Sequence, residues 1–138
     1  MKYTVPMARI FYALLFVMSC PGHFKSQTIG YAASHGVPFA SVLVPVSGLI
    51  ALAGGLSIIL GYRARLGGWL IVLFLVPVTL TMHNFWTVQD PAAAAMQQIM
   101  FEKNLSMLGG ALLIAYFGSG PLSLDAWLKC RCETAKKD

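Results

Sequence analysis

Charge is scarce in this sequence. Charged residues make up 11% of its 138 positions, five acidic against ten basic. The motifs of common soluble enzymes are absent too: no glycine loop to cradle a phosphate, no dinucleotide fingerprint and no H-E-x-x-H. His23, His35 and His83 show no paired-ligand spacing on one helix, which argues against a bound haem or zinc, and no metal is expected. Three cysteines do not make a disulfide framework. Cys20 closes the first apolar stretch, whereas Cys130 and Cys132 lie in the tail, so a bilayer would separate them. The tail C-x-C supplies only two ligands, a weak metal signal, and the reading is solvated, reduced thiols. The net charge of +5 is not gathered into a binding face, so nucleic acid is not an expected partner.

What is abundant is apolar surface. A hydrophobic fraction of 57% and a mean hydropathy of +0.69 exceed what a soluble core of this size can hide. Hydrocarbon roughly 30 Å thick needs about 20 apolar residues per helix. Four stretches are candidates: 5–20, 37–61, 66–86 with its apolar part ending at Met82, and 99–117. The expectation is an all-α integral membrane bundle of four transmembrane helices over 1–128, followed by a polar tail, 129–138. Four spans put Lys2, Arg9, Arg63, Arg65, Lys129, Arg131, Lys136 and Lys137 on one side and Lys25 and Lys103 on the other. The excess of basic residues marks the cytoplasm, so both termini are expected there.

Lys2, the apolar run and V-M-S-C at 17–20 look like a lipoprotein signal, but Arg9 interrupts the run and the segment reads as the first span. Pro21-Gly22 breaks it, and His23–Gly36 is polar enough for the membrane surface. In the second span Gly48, Ala51, Gly54, Gly55 and Ser57 form a face of small residues on which another helix can pack closely. Pro77 lies within the third span, and Leu122–Leu128 reads as an amphipathic helix on the inner leaflet.

Two polar rims remain. The outer one gathers His23, Lys25, His83, Asn84, Trp86, Glu102, Lys103 and Asn104. Ionisable groups at the edge of a membrane bundle are a functional hypothesis if they point inward. His83 and Lys103 can hydrogen-bond the carbonyls of a quinone, Trp86 can cover its ring, and Glu102 can exchange the coupled proton. The competing reading is that Glu102 and Lys103 reach for water and His83 caps its helix. Three consecutive polar residues at 102–104 cannot all face one pocket. The inner rim holds Arg9, Arg63, Arg65 and Asp125. An ion pair of Asp125 with Arg9 or Arg65 would tie the last segment to the bundle.

The chain resembles the DoxX family of small four-helix membrane proteins. The resemblance runs through Arg9, Lys25, Gly36-Val37-Pro38 and L-A-G-G-L-S-I-I-L-G-Y-R-A-R at 52–65. It continues through H-N-F-W at 83–86, F-E-K-N-L at 101–105, G-G at 109–110 and G-S-G-P-L-S-L-D at 118–125. It implies a bacterial inner-membrane bundle acting as a subunit or accessory protein of a membrane redox complex linked to quinone. Membrane lipid and other membrane subunits are the implied partners, and quinone is the candidate ligand. A purely structural packing subunit is the alternative, and a small-molecule transporter is least favoured. Many relatives carry an acid just ahead of the paired glycines of span two, where this chain has Ala51.

Overall fold

The computed structural model describes residues 3–134. Six α-helices follow in order: α1 Thr4–Ser19, α2 Ser26–Ser34, α3 Ala40–Leu60, α4 Ala64–Met82, α5 Pro91–Phe117 and α6 Leu124–Thr134. Short 3-10 turns occupy Cys20–Phe24 and Phe85–Thr87. The fold is all-α, and a buried core of Ala13, Phe16, Ala51, Ile58, Ile71, Phe74, Leu75 and Ala111 joins α1, α3, α4 and α5.

The number of spans differs from expectation. Among the described residues three helices, not four, are long and apolar enough to cross a membrane: Thr4–Phe24, Ala40–Leu60 and Ala64–Thr87, the first and last taking in their 3-10 turns. The segment expected to be the fourth begins eight residues early, at Pro91 rather than near 99, because Asp90 Oδ2 accepts from the Ala93 amide at 2.7 Å and caps it. Its first half carries Gln97, Gln98, Glu102, Lys103 and Asn104, so the apolar run starts only at Leu105. From there to Phe117 the helix rises only about 20 Å, short of the roughly 30 Å of hydrocarbon. The placement of both termini in the cytoplasm takes its support from four spans, and three spans do not supply that support.

Small residues set the helix spacing. A β-carbon on Gly54 would lie 2.9 Å from Ile71 Cδ1 and 3.0 Å from the Gly67 carbonyl, and one on Gly55 would lie 3.2 Å from the Ala13 carbonyl. The small face of α3 is therefore filled by α4 on one side and α1 on the other. The surface segment after α1 is not peripheral either: the His23 ring lies on Gly48, whose β-carbon would come within 2.6 Å of His23 Cβ, and meets Phe74 edge-on.

The third joint is polar. Tyr12 Oη donates to the Met107 carbonyl at 2.6 Å, while its ring lies against Gly110. Tyr12→Phe keeps the ring and deletes one interhelical hydrogen bond, so a loss of about 1 kcal/mol is expected from thermal unfolding in detergent.

The ends of the bundle are chemically distinct. One, the arginine end, holds the first turns of α1, the α3–α4 turn, the last turn of α5 and α6. Arg9 there is 5% exposed. Its Nη1 and Nη2 donate to the carbonyls of Ser119 and Leu122, both at 2.7 Å. The α3–α4 turn needs left-handed backbone at Gly61 and at Arg63, which costs about 1–2 kcal/mol in a residue with a β-carbon. Two side chains hold it there. Ser57 Oγ donates to the Tyr62 carbonyl at 2.7 Å, and Asp125 Oδ1 accepts from the Arg63 amide at 3.0 Å.

The expected ion pairs of Asp125 are thus replaced by main-chain bonds. Arg9 goes to carbonyls, and no ion pair joins it to Asp125 among the described residues. Arg65 lies across Gly118, and no ion pair joins it to Asp125 among the described residues. The last segment is still tied to the bundle, through Arg9, the Arg63 amide and the bond from the Asp125 amide to the Gly61 carbonyl. In the tail, Lys129–Thr134 continue α6 with Cys130 and Cys132 exposed. Lys2 and residues 135–138, with Lys136 and Lys137, lie outside the described residues.

Candidate functional site

At the other end, α4 stops at Met82 and the chain turns through His83–Asn84 into the Phe85–Thr87 turn. Pro77 lies one turn and a half from that stop, and Thr81 Oγ1 donates to its carbonyl at 2.7 Å. The turn brings three rings together: the centroids of Phe85, Trp86 and Phe101 lie 5.2–5.8 Å apart, each pair edge to face. Such pairs add about 0.5–1.5 kcal/mol beyond burial, enough to hold a short turn against α5.

His83 joins this cluster to α2. Its Nδ1 lies 2.8 Å from Gln97 Oε1, and Gln97 Nε2 donates to Tyr31 Oη at 3.2 Å. An amide oxygen only accepts, so Nδ1 carries the hydrogen and Nε2 of the neutral ring keeps its lone pair. Tyr31 in turn stacks on His35, centroids 4.1 Å apart.

The other expected residues divide. Asn104 points into the bundle, 6% exposed, on the α5 face that also carries Ala111 and Ala115. Glu102 and Lys103 point out: Glu102 accepts from Gln98 Nε2 at 2.9 Å and Lys103 Nζ reaches Met100 Sδ at 3.3 Å. The helical phase that forbids residues 102–104 a common face selects the asparagine. Lys25 is exposed, at the position preceding α2. Asn84 starts the 3-10 turn, its carbonyl accepting from Thr87. Of the residues expected at this rim, Asn104 is buried and His83 half-buried, whereas Lys103 points out.

Three participants escape a sequence reading. Gln97 and Tyr31 sit in stretches that look like connection and surface. Thr79, buried at 8% exposure, looks like any threonine in an apolar helix. One signal was available: Gln97, Phe101 and Asn104 repeat at four and three residues, the spacing of one helix face.

The register of α4 against α5 is fixed at both ends, by His83 to Gln97 and by Gly68 to Ala111 and Ala115. It sets Asn104 between the levels of Leu75 and Thr79. Neither Asn104 nor Thr79 has a side-chain hydrogen-bond partner among the described residues. The one sealed, unpartnered side-chain polar atom among those residues is Arg9 Nε. The Asn104 amide and Thr79 hydroxyl therefore each keep some accessible surface, on the two helices α5 and α4 that pack against each other. No group of three His, Cys, Asp or Glu that could hold a metal is found among the described residues.

Similarity to known proteins fits this arrangement of apolar helices. Residues 5–84 match the DoxX family, a stretch that covers α1 to the end of α4. The chain belongs to the DoxX family. It is 30% identical over 126 residues to inner membrane protein YqjF of Escherichia coli strain K12, covering 90% of this chain and 91% of that one. It is 28% identical over 123 residues to inner membrane protein YphA of the same organism, covering 86% of each. A shorter match, 27% over 77 residues, reaches the ER-derived vesicles protein ERV29 of Saccharomyces cerevisiae, with 56% of this chain and 24% of that one covered. No solved structure matches. This DoxX-family chain is accordingly a multi-pass membrane protein, consistent with an inner membrane, with many exposed apolar side chains along its spans.

Proposed function

We propose that this DoxX-family protein is a subunit or accessory protein of a quinone-linked redox complex in the bacterial cytoplasmic membrane, and that its histidine end holds the quinone head group. The observation that carries this reading is that Asn104 on α5 and Thr79 on α4, both largely buried, have no side-chain hydrogen-bond partner among the described residues. A largely buried amide that keeps accessible surface can gain a hydrogen bond worth about 0.5–1.5 kcal/mol from a carbonyl-bearing ligand. Both side chains donate, as quinone carbonyls require. His83 Nε2 offers the opposite sense, accepting from a quinol hydroxyl, while Phe101 and Trp86 provide apolar faces for the ring. Lys103, turned to Met100, has no part in it.

A purely packing role draws less support. Gly48, Gly54, Gly55, Gly67 and Gly68 are already in contact with neighbours inside the bundle. Gly109 faces open space on α5, with exposed Ser106 one turn before it and the large side chains of Leu105, Leu112 and Leu113 around them.

The test is quinone retained by protein solubilised gently from native membrane. Asn104→Leu is expected to reduce it about tenfold, the equivalent of one buried hydrogen bond, and His83→Ala to do the same. Lys103→Ala should change nothing, and partner subunits should co-purify with all three variants. Equal quinone in wild type and Asn104→Leu, with both folded, would sink the proposal.

A further inference from the structure

The arginine end contains an open cleft of about 880 Å³ between the α3–α4 turn, the loop after α5 and the start of α6. Three cations line it, Arg63, Arg65 and Lys129, against a single carboxylate, Asp125. That carboxylate is already engaged by the Arg63 amide. No ion pair involves either arginine among the described residues. Arg63 lies over the Tyr62 ring at 5.6 Å, and Arg65 runs along Gly118, where a β-carbon would meet its Nε at 3.3 Å.

The floor is fixed independently of these side chains. Ser119, part of the lining, is held by Arg9 through its carbonyl. Beside the cations the lining turns apolar at Leu66, Phe117 and Leu128. Exposed Tyr62, Tyr116, Phe117 and Trp127 lie on the same end, where the apolar helices stop. Aromatic side chains in that position mark the head-group level of a bilayer.

A fold that gathers three cations against one carboxylate keeps an excess of positive charge that attracts an anion, and guanidinium groups match the oxygens of phosphate. We propose that this cleft binds the phosphate of an anionic phospholipid head group, with Arg63 and Arg65 donating to its oxygens and Lys129 adding charge. Free phosphate presents the same oxygens. The apolar side of the cleft favours the lipid, whose glycerol and first methylenes can lie against Leu66, Phe117 and Leu128.

Full-length protein in a neutral detergent is titrated with phosphatidylglycerol, phosphatidylcholine and inorganic phosphate, and binding is read by native mass spectrometry and melting temperature. Phosphatidylglycerol is expected to bind more tightly than phosphatidylcholine. Arg63→Gln with Arg65→Gln should weaken phosphatidylglycerol about 30-fold, roughly five-fold per arginine at a head-group surface, and leave phosphatidylcholine unchanged. Arg131→Gln, whose guanidinium stacks on Trp127 at 4.8 Å, should keep the preference. Equal affinity for the two lipids, or an intact preference in the folded double variant, overturns the site. Inorganic phosphate giving the same shift at the same concentration overturns the lipid as its source. If the double variant does not fold, Lys129→Gln on exposed α6 is read instead: about a five-fold loss is expected, and no loss overturns the proposal.

Discussion

Replacing Arg9 by methionine is expected to destabilise the protein by about 3–5 kcal/mol, the worth of two charge-assisted hydrogen bonds. The methionine fills much of the same volume, so packing is not the source of the loss. The source is the Ser119 and Leu122 carbonyls, each of which accepts from the guanidinium at 2.7 Å. Charge-assisted bonds of this kind contribute about 1.5–3 kcal/mol apiece, and two of them outweigh relief of the sealed Nε. Arg9→Lys should fail as well, since a single ammonium lacks the planar fork that reaches both carbonyls. Asp125 provides the contrast. Asp125→Asn keeps an oxygen for the Arg63 amide and should lose less than about 1 kcal/mol, whereas Asp125→Ala removes the acceptor and should lose about 1 kcal/mol or slightly more. Thermal unfolding of the four variants in one detergent is the measurement. A large loss with Asp125→Asn and a small one with Arg9→Met would reverse the assignment and restore a salt bridge as the main tie.

Gly68→Ala is expected to lower stability by about 1–3 kcal/mol, although alanine is the better helix former by about 1 kcal/mol. The reason is where the new methyl lands: 2.7 Å from the Ala115 amide nitrogen and 2.8 Å from the Ala111 carbonyl. Those are main-chain atoms of α5 and cannot swing aside, so the two helices must separate. Gly109→Ala is the matched control. It lies on the same pair of helices with nothing within 4 Å of its β-carbon, so the propensity gain should stand alone and the protein should become slightly more stable. Equal effects of the two substitutions would mean that α4 and α5 do not meet at Gly68.

How much of this can be read from residues alone depends on the range of the interaction. The helices over 40–60 and 64–82 follow from uninterrupted apolar runs, and Gly61 and Arg63 mark the turn between them. The start of α5 was misplaced because its alanine-rich lead-in is helical in propensity yet polar in composition, and Asp90 caps it eight residues before the apolar run. The span count failed on the same stretch: Gln97 to Asn104 reads as the rim of a span, whereas it leaves too few apolar residues behind it. At the histidine end, His83 and Asn104 are visible as polar groups flanking apolar runs. Their partners are not, because Gln97 and Tyr31 are 66 residues apart and only a hydrogen bond made in the folded chain joins them. At the arginine end the ion pairs expected from charge alone gave way to main-chain partners, which composition never displays.

Arg9 also imposes an order of events on the chain. The carbonyls that satisfy it belong to residues 110 and 113 positions later. At ribosomal speeds of about 5–20 residues per second, the first helix waits on the order of 5–20 s before they exist. During that interval a cation sits in an apolar segment with nothing to neutralise it, so the growing helix has reason to stay near the head groups or with an insertion chaperone. The two carbonyl partners exist only once the loop at 119–122 has been made, so the arginine end cannot close before then. A chain interrupted before that loop keeps its exposed cation, and membrane quality control has a chemical flag by which to recognise it.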